Sequence, residues 1–577
     1  MAYPQTAQAI PVAIPVRGMN TKDPLAAMEQ DFAPWILNFE PEPQYLRLRN
    51  GYVIHSDLSA VADAVFAVAA YGGEDLFAYC YKAGSNDFIV NVSYPDYETG
   101  KSYAESEMVR GKSTNRLYIC ETPITTSTSE PTGSTPGAPI TDGDGVWTYV
   151  SSATVKSLSD DGSGVLGLNA AFNGRLCFLG TTDPADLGTV YDGSSWAAFG
   201  FTSGGLTIPA VAAANYRGRV YLVRNKYLYY SAIAAVTGAC TAVDLSSILE
   251  MPGTGIVWIG TLTDSTNKPT ESMLAFGTDR GEVFVYAENS PESPDWAMVA
   301  KLKIPPVLNY QPILEINNDL WVATTIGIVS LRALLQGGED SVDAALVTRA
   351  ISPYWKSLVE QKVLESKNIS YPWPAYGVGC TLGFWPEQNK VYVALHSFIS
   401  ATGAYTGGSS DPCTVLVYNL FSQAWTIHQA AGTLYSVQDL TYFKDSIYLA
   451  AKNYVLTVGS GYKDSVIQPT ATGYAAIPYA LHSAYSNFGS PQKFKHVVGV
   501  EPLIKTDFTG SDVTLKTTVD FGRRTSSPSS VALLDGHQAP FYPAGNQGNW
   551  IQYRIEGNTT QTSTDGLELY SVGVAIK

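Results

Sequence analysis

Over much of the chain, apolar and polar residues alternate one by one in short runs that begin at a Gly, Asn or Asp turn. The unit occurs as "NRLYIC" (115–120), "NGRLCFL" (173–179), "RGRVYLV" (217–223) and "RGEVFVY" (280–286), and again as "NNDLWVA" (317–323), "QNKVYVAL" (388–395) and "KDSIYLA" (444–450). A period of two sets one row of side chains on a buried face and the other toward a second layer or solvent, so each unit predicts a β-strand. Three units run on through a tight turn into a second strand: "VYLVRNKYLYYS" (220–231), "LWVATTIGIVSL" (320–331) and "IYLAAKNYVLTV" (447–458). Asn, Gly or Lys near the turn suits the short loops of hairpins. The stretch "CTVLVYNLFSQAWTIH" (413–428) reads the same way, with "YNLFSQAW" as a strand–turn–strand step.

The units recur at irregular intervals, unlike a WD40 array with its period of about 40–45 residues. The pattern predicts a mainly β protein: a β-propeller with long loop insertions, a C-terminal antiparallel β-domain and an extended N-terminal arm. A pair of stacked sandwiches is the alternative. The expected divisions are an arm and entry segment over 1–60, a propeller over 61–480 with insertions near 85–150 and 335–372, and the C-terminal β-domain over 481–577. Residues 122–146 are rich in Ser, Thr, Pro and Gly and predict loop or extended arm. Residues 340–366 predict the one clear helical stretch, broken by Pro353 after Ser352.

Composition narrows the class. Of 577 residues, 45% are hydrophobic and only 15% are charged, against roughly 25% charged in an average soluble protein. Low charge with abundant Tyr, Gly, Ser and Thr suits a β-rich surface, often one covered by neighbouring subunits. The net charge of −16 argues against a grip on nucleic acid by phosphate neutralisation, although DNA could slide past such a surface. The first sixteen residues lack a basic segment and carry prolines, so no secretory signal is expected. The apolar run "AVADAVFAVAAY" (60–71) is too short for a spanning helix, and no membrane insertion is expected. Six scattered cysteines without a CxxC pair predict reduced thiols in a cytoplasm. The sequons at Asn91, Asn368 and Asn558 are then chance matches.

Candidate chemistry is sparse. "TDGDGVW" (141–147) partly resembles a calcium loop and the Asp-box turn of sialidases, but the further oxygen ligands are missing and a plain hairpin turn is favoured. "SLSDDGSG" (157–164) reads as an exposed turn with Asp160 and Asp161 solvated. Asp279, Glu282 and Asp319 lie at strand turns, where polar residues are ordinary, and paired catalytic carboxylates would have to converge in space. The six histidines show no metal-ligand spacing, and His428 reads as structural. No GxSxG elbow and no phosphate-binding GxxxxGK[ST] loop is present, so no catalytic, metal or cofactor residue is assigned and the chain is not expected to be an enzyme. "GSPQKFKH" (489–496) is a small basic cluster, either a solvated face or a subunit contact.

The segment "GMNTKDPLAAMEQDFAPWILNFEPEPQYLRLRNGY" (18–52) resembles the N-terminal signature of the tail nozzle, or distal tail-tube, proteins of short-tailed bacteriophages. The matching positions are Gly18, Asn20, Thr21, Asp23 and Leu25, then Asn38, Phe39 and Pro41, and finally Arg49, Gly51 and Tyr52. Phe39 stands where Trp is commoner. "SNFGSPQKFK" (486–495), with Phe488, Gly489 and Lys493, is similar to the element that opens the family's last β-domain. The likeness covers about a fifth of the chain, and related phage structural proteins share the N-terminal pattern.

The resemblance implies a homohexameric ring below a head-to-tail adaptor ring in a virion tail, assembled in the host bacterial cytoplasm. It implies a conduit and gate for genome ejection, with DNA passing through without sequence-specific binding and tail fibres as a further candidate partner. No cofactor is implied. The arm would pack against its own propeller and a neighbouring subunit, with Trp35, Phe39 and Tyr45 as rigid buried area. The competing reading is a β-propeller tail protein that binds or degrades glycan.

Overall fold

The computed structural model describes residues 8–576, except 83–86, 159–167, 173–174, 180–188, 199, 204–205, 208–209, 252–254, 264–271, 288–290, 294–295, 309–311, 339–340, 367–377, 398–412, 431–436, 466–473, 507–511, 527–528, 533–546 and 560–566. Asp160, Asp161, Asn368 and His537 lie outside the described residues, as do the first two residues of "NGRLCFL". The fold is mainly β, as the alternating runs predict. Among the described residues no helix is long and apolar enough to cross a membrane. No disulfide joins the six cysteines.

Among the described residues, seven sheets, each begun by antiparallel strands, follow one another along the chain, numbered here 1 to 7. Their first strands are Ala64–Tyr71, Leu168–Phe172, Ala212–Tyr216, Ile256–Thr263, Ile313–Ile316, Val378–Trp385 and Val437–Phe443. Each first strand packs against the first strand of the next sheet, and that of sheet 7 packs against that of sheet 1. The neighbour relation therefore closes on itself. Sheet 7 is completed from the other end of the sequence: Tyr52–Asp57 pairs antiparallel with Tyr454–Val458 as its outer strand.

Local chemistry explains the hairpins. Arg217–Gly218, Asn317–Asn318 and Lys444–Asp445 each form a two-residue loop between paired strands, with both residues at positive φ. That is the backbone of a type I′ turn, whose twist matches the twist of the flanking strands. The three hairpins expected at 220–231, 320–331 and 447–458 form as read, and so does Thr414–Asn419 with Ala424–Gln429.

Three sequence expectations change. "NRLYIC" is not part of the seven-sheet cycle. It lies in Arg116–Thr122, within a separate four-stranded sheet inserted between the third and fourth strands of sheet 1. Part of the 122–146 stretch expected as loop or arm is strand as well: Pro139–Asp142 pairs in that inserted sheet with Gly145–Ser152, which begins at the end of the stretch, and "TDGDGVW" spans their hairpin turn. Pro353 does not break a helix. It opens Ser352–Ser366, in the first turn, where a missing N–H costs nothing. A second helix, Leu331–Gly337, precedes it and is capped by Ser330, whose hydroxyl accepts from Ala333 N.

The arm contributes apolar residues to a core it shares with the C-terminal segment. Ile36, Phe39, Leu46 and Leu48 are fully buried in the same core as Tyr479, Val500, Leu515 and Val572 of the C-terminal segment. Two sheets enclose that core. One contains Phe39–Pro41, Leu46–Leu48, Lys495–Thr506 and Leu567–Ile576, with Gln8–Val12 pairing along the last strand. The other is an extension of sheet 6: Ala424–Gln429 pairs with Trp35–Leu37, which pairs with Pro478–His482 and through it with Ile551–Asn558.

A buried ionic junction as the candidate functional site

The junction starts at one residue. Asn38 lies between the strands Trp35–Leu37 and Phe39–Pro41, which belong to different sheets, and its φ of 60° makes the bend. Asn tolerates this left-handed region because its short polar side chain bonds to nearby backbone. Here Nδ2 donates to the carbonyls of Gln429 and Pro478 at 3.1 and 2.6 Å. Oδ1 accepts from Gln429 N and from Arg49 Nε, both at 2.7 Å. One side chain thus ties the arm to sheet 6 and to the C-terminal segment.

Arg49 carries the next link. Its Nη1 and Nη2 donate to Asp464 Oδ1 and Oδ2 at 2.9 and 2.7 Å, a bidentate pair with both side chains at or below 1% exposure. Burial works against the guanidinium charge, and Asp464 more than restores it. Asp464 Oδ1 also accepts from Tyr52 N at 2.8 Å, and the guanidinium sits 4.6 Å above the Tyr52 ring.

Glu40 is the second centre. Lys390 Nζ lies 2.9 Å and Arg47 Nη2 2.8 Å from its Oε2. Burial alone would raise this carboxyl, but Lys390, then His428 and Arg47, outweigh it and hold the group well below the usual carboxylate range. His428 itself is pushed down to about 3, by burial first, against the pull of Glu40. At neutral pH the positive charge facing Glu40 therefore comes from Lys390 and Arg47. Burial also keeps the Tyr52 hydroxyl protonated; it is hydrogen-bonded to His428 Nδ1 at 3.1 Å, and His428 Nε2 lies 3.6 Å from Glu40.

The two glycines of the signature are set by close approach. A Cβ on Gly18 would stand 2.7 Å from the backbone N and O of Trp425, and Gly18 has φ of 81°. A Cβ on Gly51 would collide with the backbone carbonyl of Lys463. Neighbouring positions extend the junction. Asn20 Oδ1 accepts from Lys22 N and Asp23 N, and its Nδ2 donates to Asp23 Oδ2 at 2.8 Å, folding the turn. Thr21 N donates to Ala350 O, seating that turn against the helical insertion. Trp35 meets Tyr354 edge-on at 5.7 Å, Phe39 meets Tyr479 at 5.4 Å, and Tyr45 stacks on Tyr570 at 5.2 Å. Pro41 is buried and its carbonyl accepts from Asn419 Nδ2.

Of the positions singled out in the sequence, the structure gathers Phe39, Arg49, Gly51 and Tyr52 at this junction, with Trp35 and Pro41 in the two strands that flank Asn38, whereas Asn20, Thr21 and Asp23 form a separate turn seated against Ala350. Leu25 stands beyond it, 37% exposed. Phe488, Gly489 and Lys493 form a separate turn, with Phe488 at φ of 48° and Lys493 exposed. Glu40, Lys390, His428 and Asp464 were not assigned from sequence. Glu40 lay inside the quoted signature, whereas Asp464 and Lys390 had no local signal at all.

With Phe39 fully buried and Arg49 and Tyr52 nearly so, these side chains face the chain itself. The arrangement is chemically closed: its charges are mutually satisfied and out of reach of a soluble substrate, so it can fix the arm, sheets 6 and 7 and the C-terminal domain in one geometry. The three acids considered for catalysis are each engaged by backbone or side-chain donors. Asp279 accepts from Gly255 N and Glu282 from Glu250 N, both in the segment before the sheet's first strand, and Asp319 accepts from Ser330 Oγ and Arg332 N. Among the described residues no group of three His, Cys, Asp or Glu side chains could hold a metal ion.

No family profile matches the chain, and no curated protein matches it. Among solved structures it is similar to Raptor from Chaetomium thermophilum, with 10% identity and a TM-score of 0.31, covering 72% of this chain and 30% of that one. The chain thus spans under a third of Raptor's length. It is similar to an exo-β-1,3-galactanase from Phanerochaete chrysosporium, with 11% identity and a TM-score of 0.23, covering 65% and 98%. It is also similar to the extracellular domain of the putative one-component system BT4673 from B. thetaiotaomicron, with 10% identity and a TM-score of 0.30, covering 94% and 74%. These likenesses are too remote to argue from.

Proposed function

We propose that the chain is a structural subunit of the tail of a short-tailed bacteriophage, a nozzle that assembles as a homohexameric ring beneath a head-to-tail adaptor ring. We read the closed cycle of seven sheets as a β-propeller, a rigid unit suited to the wall of a ring. The observation that carries the reading is that the signature resembling the nozzle family is one physical device. Asn38, Phe39, Arg49, Gly51 and Tyr52 meet at a single buried junction, which gives the spacing of that part of the motif a reason. The net charge of −16 supports a lumen that repels the phosphate backbone, so that DNA passes without binding. On this reading the protein is a conduit and gate and not an enzyme.

The test is light scattering on the purified chain, alone and mixed with the adaptor protein encoded in the same genome. A hexameric ring formed on adaptor addition is the expected result. A monomer or trimer indifferent to the adaptor overturns the reading and makes glycan binding and hydrolysis the next assays.

A further inference from the structure

At one end of the C-terminal domain three turns converge on an exposed aromatic and basic surface. Phe521 is 44% exposed, with its ring tilted against Tyr485 at 4.8 Å and 5.6 Å from Trp550. Its backbone is strained outward: Asp520, Phe521 and Gly522 have φ of 48°, 60° and 96° in succession. For a bulky residue such as Phe this is a costly conformation, kept only where the surroundings enforce it. Asp520 enforces it by accepting from Asn549 N and Trp550 N at 2.9 and 3.1 Å. The second turn is joined by Lys495, whose buried ammonium donates to the carbonyls of Ser490, Lys493 and Asn549. That turn presents Phe494, 62% exposed, and the exposed Lys493. Arg523 is exposed in the first turn, and neither it nor Lys493 forms an ion pair with a described carboxylate.

A surface of opposite sign lies on the inserted sheet. Glu105, Glu107 and Glu121 surround Cys120, whose thiol is pushed up by burial first and then by these three carboxylates. Glu105 and Glu121 are exposed, and none of the three pairs with a described cation. The chain thus carries an unpaired basic and aromatic patch, an unpaired acidic patch, and a strong overall excess of acid.

We propose that the patch of Lys493, Phe494, Phe521 and Arg523 docks onto the Glu105, Glu107 and Glu121 face of a second copy of this chain. Two different patches of one chain meeting across copies make a head-to-tail contact, the kind that closes into a ring. The aromatic side chains supply rigid contact area, and the charges fix which surfaces meet. The inference rests on the ring reading given above and names the contact within it.

Sedimentation velocity on the 577-residue chain, over a concentration series at low and high salt and with the adaptor protein present, tests it. K493E/R523E and E105K/E107K/E121K are each expected to weaken self-association by about tenfold or more, and the five-fold combination to restore it. F494S, at an exposed position with no folding role, is expected to weaken it without changing its salt dependence. Rings that form equally well in every variant overturn this contact while leaving the ring reading intact. A chain that never self-associates, even with the adaptor, overturns both. Salt-sensitive retention of a short single-stranded DNA, lost in K493E/R523E while self-association is unchanged, assigns the patch to nucleic acid and overturns the contact.

Discussion

The fourth strands of sheets 4 and 6, counted from the first strand of each, occupy the same place and meet opposite fates. Ala424–Gln429 of sheet 6 is buried along five of its six residues, because Trp35–Leu37 pairs beside it and the carbonyl of Phe39 accepts the Thr426 hydroxyl. Among the described residues Ala297–Lys303 of sheet 4 has no strand on its far side, and Met298 and Val299 are 42% and 53% exposed. Both strands are apolar enough to be covered. What separates them is the arm, and edge lysines guard the open one: Lys301 pairs with Glu250 at 2.6 Å and Lys303 is exposed. The fate of an edge is a long-range property of the chain, not of the strand.

Four experiments would break or sharpen that contrast. The largest effect is expected for Arg49→Ala, which leaves Asp464 as an uncompensated buried charge at a cost of about 3–5 kcal/mol. Denaturant unfolding measures it, and a loss below about 1 kcal/mol would mean that Asp464 is held well enough by Tyr52 N.

Acid comes next. The folded state keeps His428 neutral down to about 3, while the unfolded chain protonates it near 6.5. A depressed folded value contributes stability that is full above 6.5 and falls as pH drops toward 3. Between pH 6.5 and 5 that is about 2 kcal/mol. Glu40 acts in the same direction below its ordinary 4.5, because its folded value is also depressed. Asp96, beside Arg110 in the sheet 1 region, is raised to about 6 by burial, so its contribution is full below 3.8 and is lost as pH rises through 6. Amide exchange should therefore show acid loosening Ala424–Gln429 but not the surroundings of Asp96, and His428→Gln should remove the loss between pH 6.5 and 5. Uniform loosening of both regions would count against the assignment.

A milder change is Ile36→Val, which removes one buried methylene from the covered side and should cost about 1 kcal/mol by thermal unfolding. The control on the open side, Val299→Ser, should stay within about 0.5 kcal/mol. Equal effects for the two would mean that the arm does not distinguish the edges.

The hairpins were legible because their determinants are local: a two-residue turn that tolerates positive φ, flanked by alternating apolar residues. Pro353 was misread because a proline that stops one helix and a proline that starts the next look alike without the capping context. "NRLYIC" carries the strand pattern of a cycle sheet, and nothing in six residues says which sheet will take it. The junction was half legible. Asn38, Arg49 and Tyr52 stood out through the resemblance, and His428 was read as structural. Their partners could not be found because Asn38 reaches Gln429 and Pro478, and Arg49 reaches Asp464, across most of the chain.

Arg49 and Asp464 are 415 residues apart. A ribosome adds roughly 5–20 residues per second, so roughly 20–80 s pass between the emergence of one and the arrival of the other. During that interval sheets 2 to 5 can form from neighbouring sequence, while Ile36, Phe39, Leu46 and Leu48 have no native surface to enter. The arm leaves the ribosome long before the surface it packs into and is among the last segments to find its place, and translation speed or a chaperone holding the nascent arm becomes part of how this protein reaches its native state.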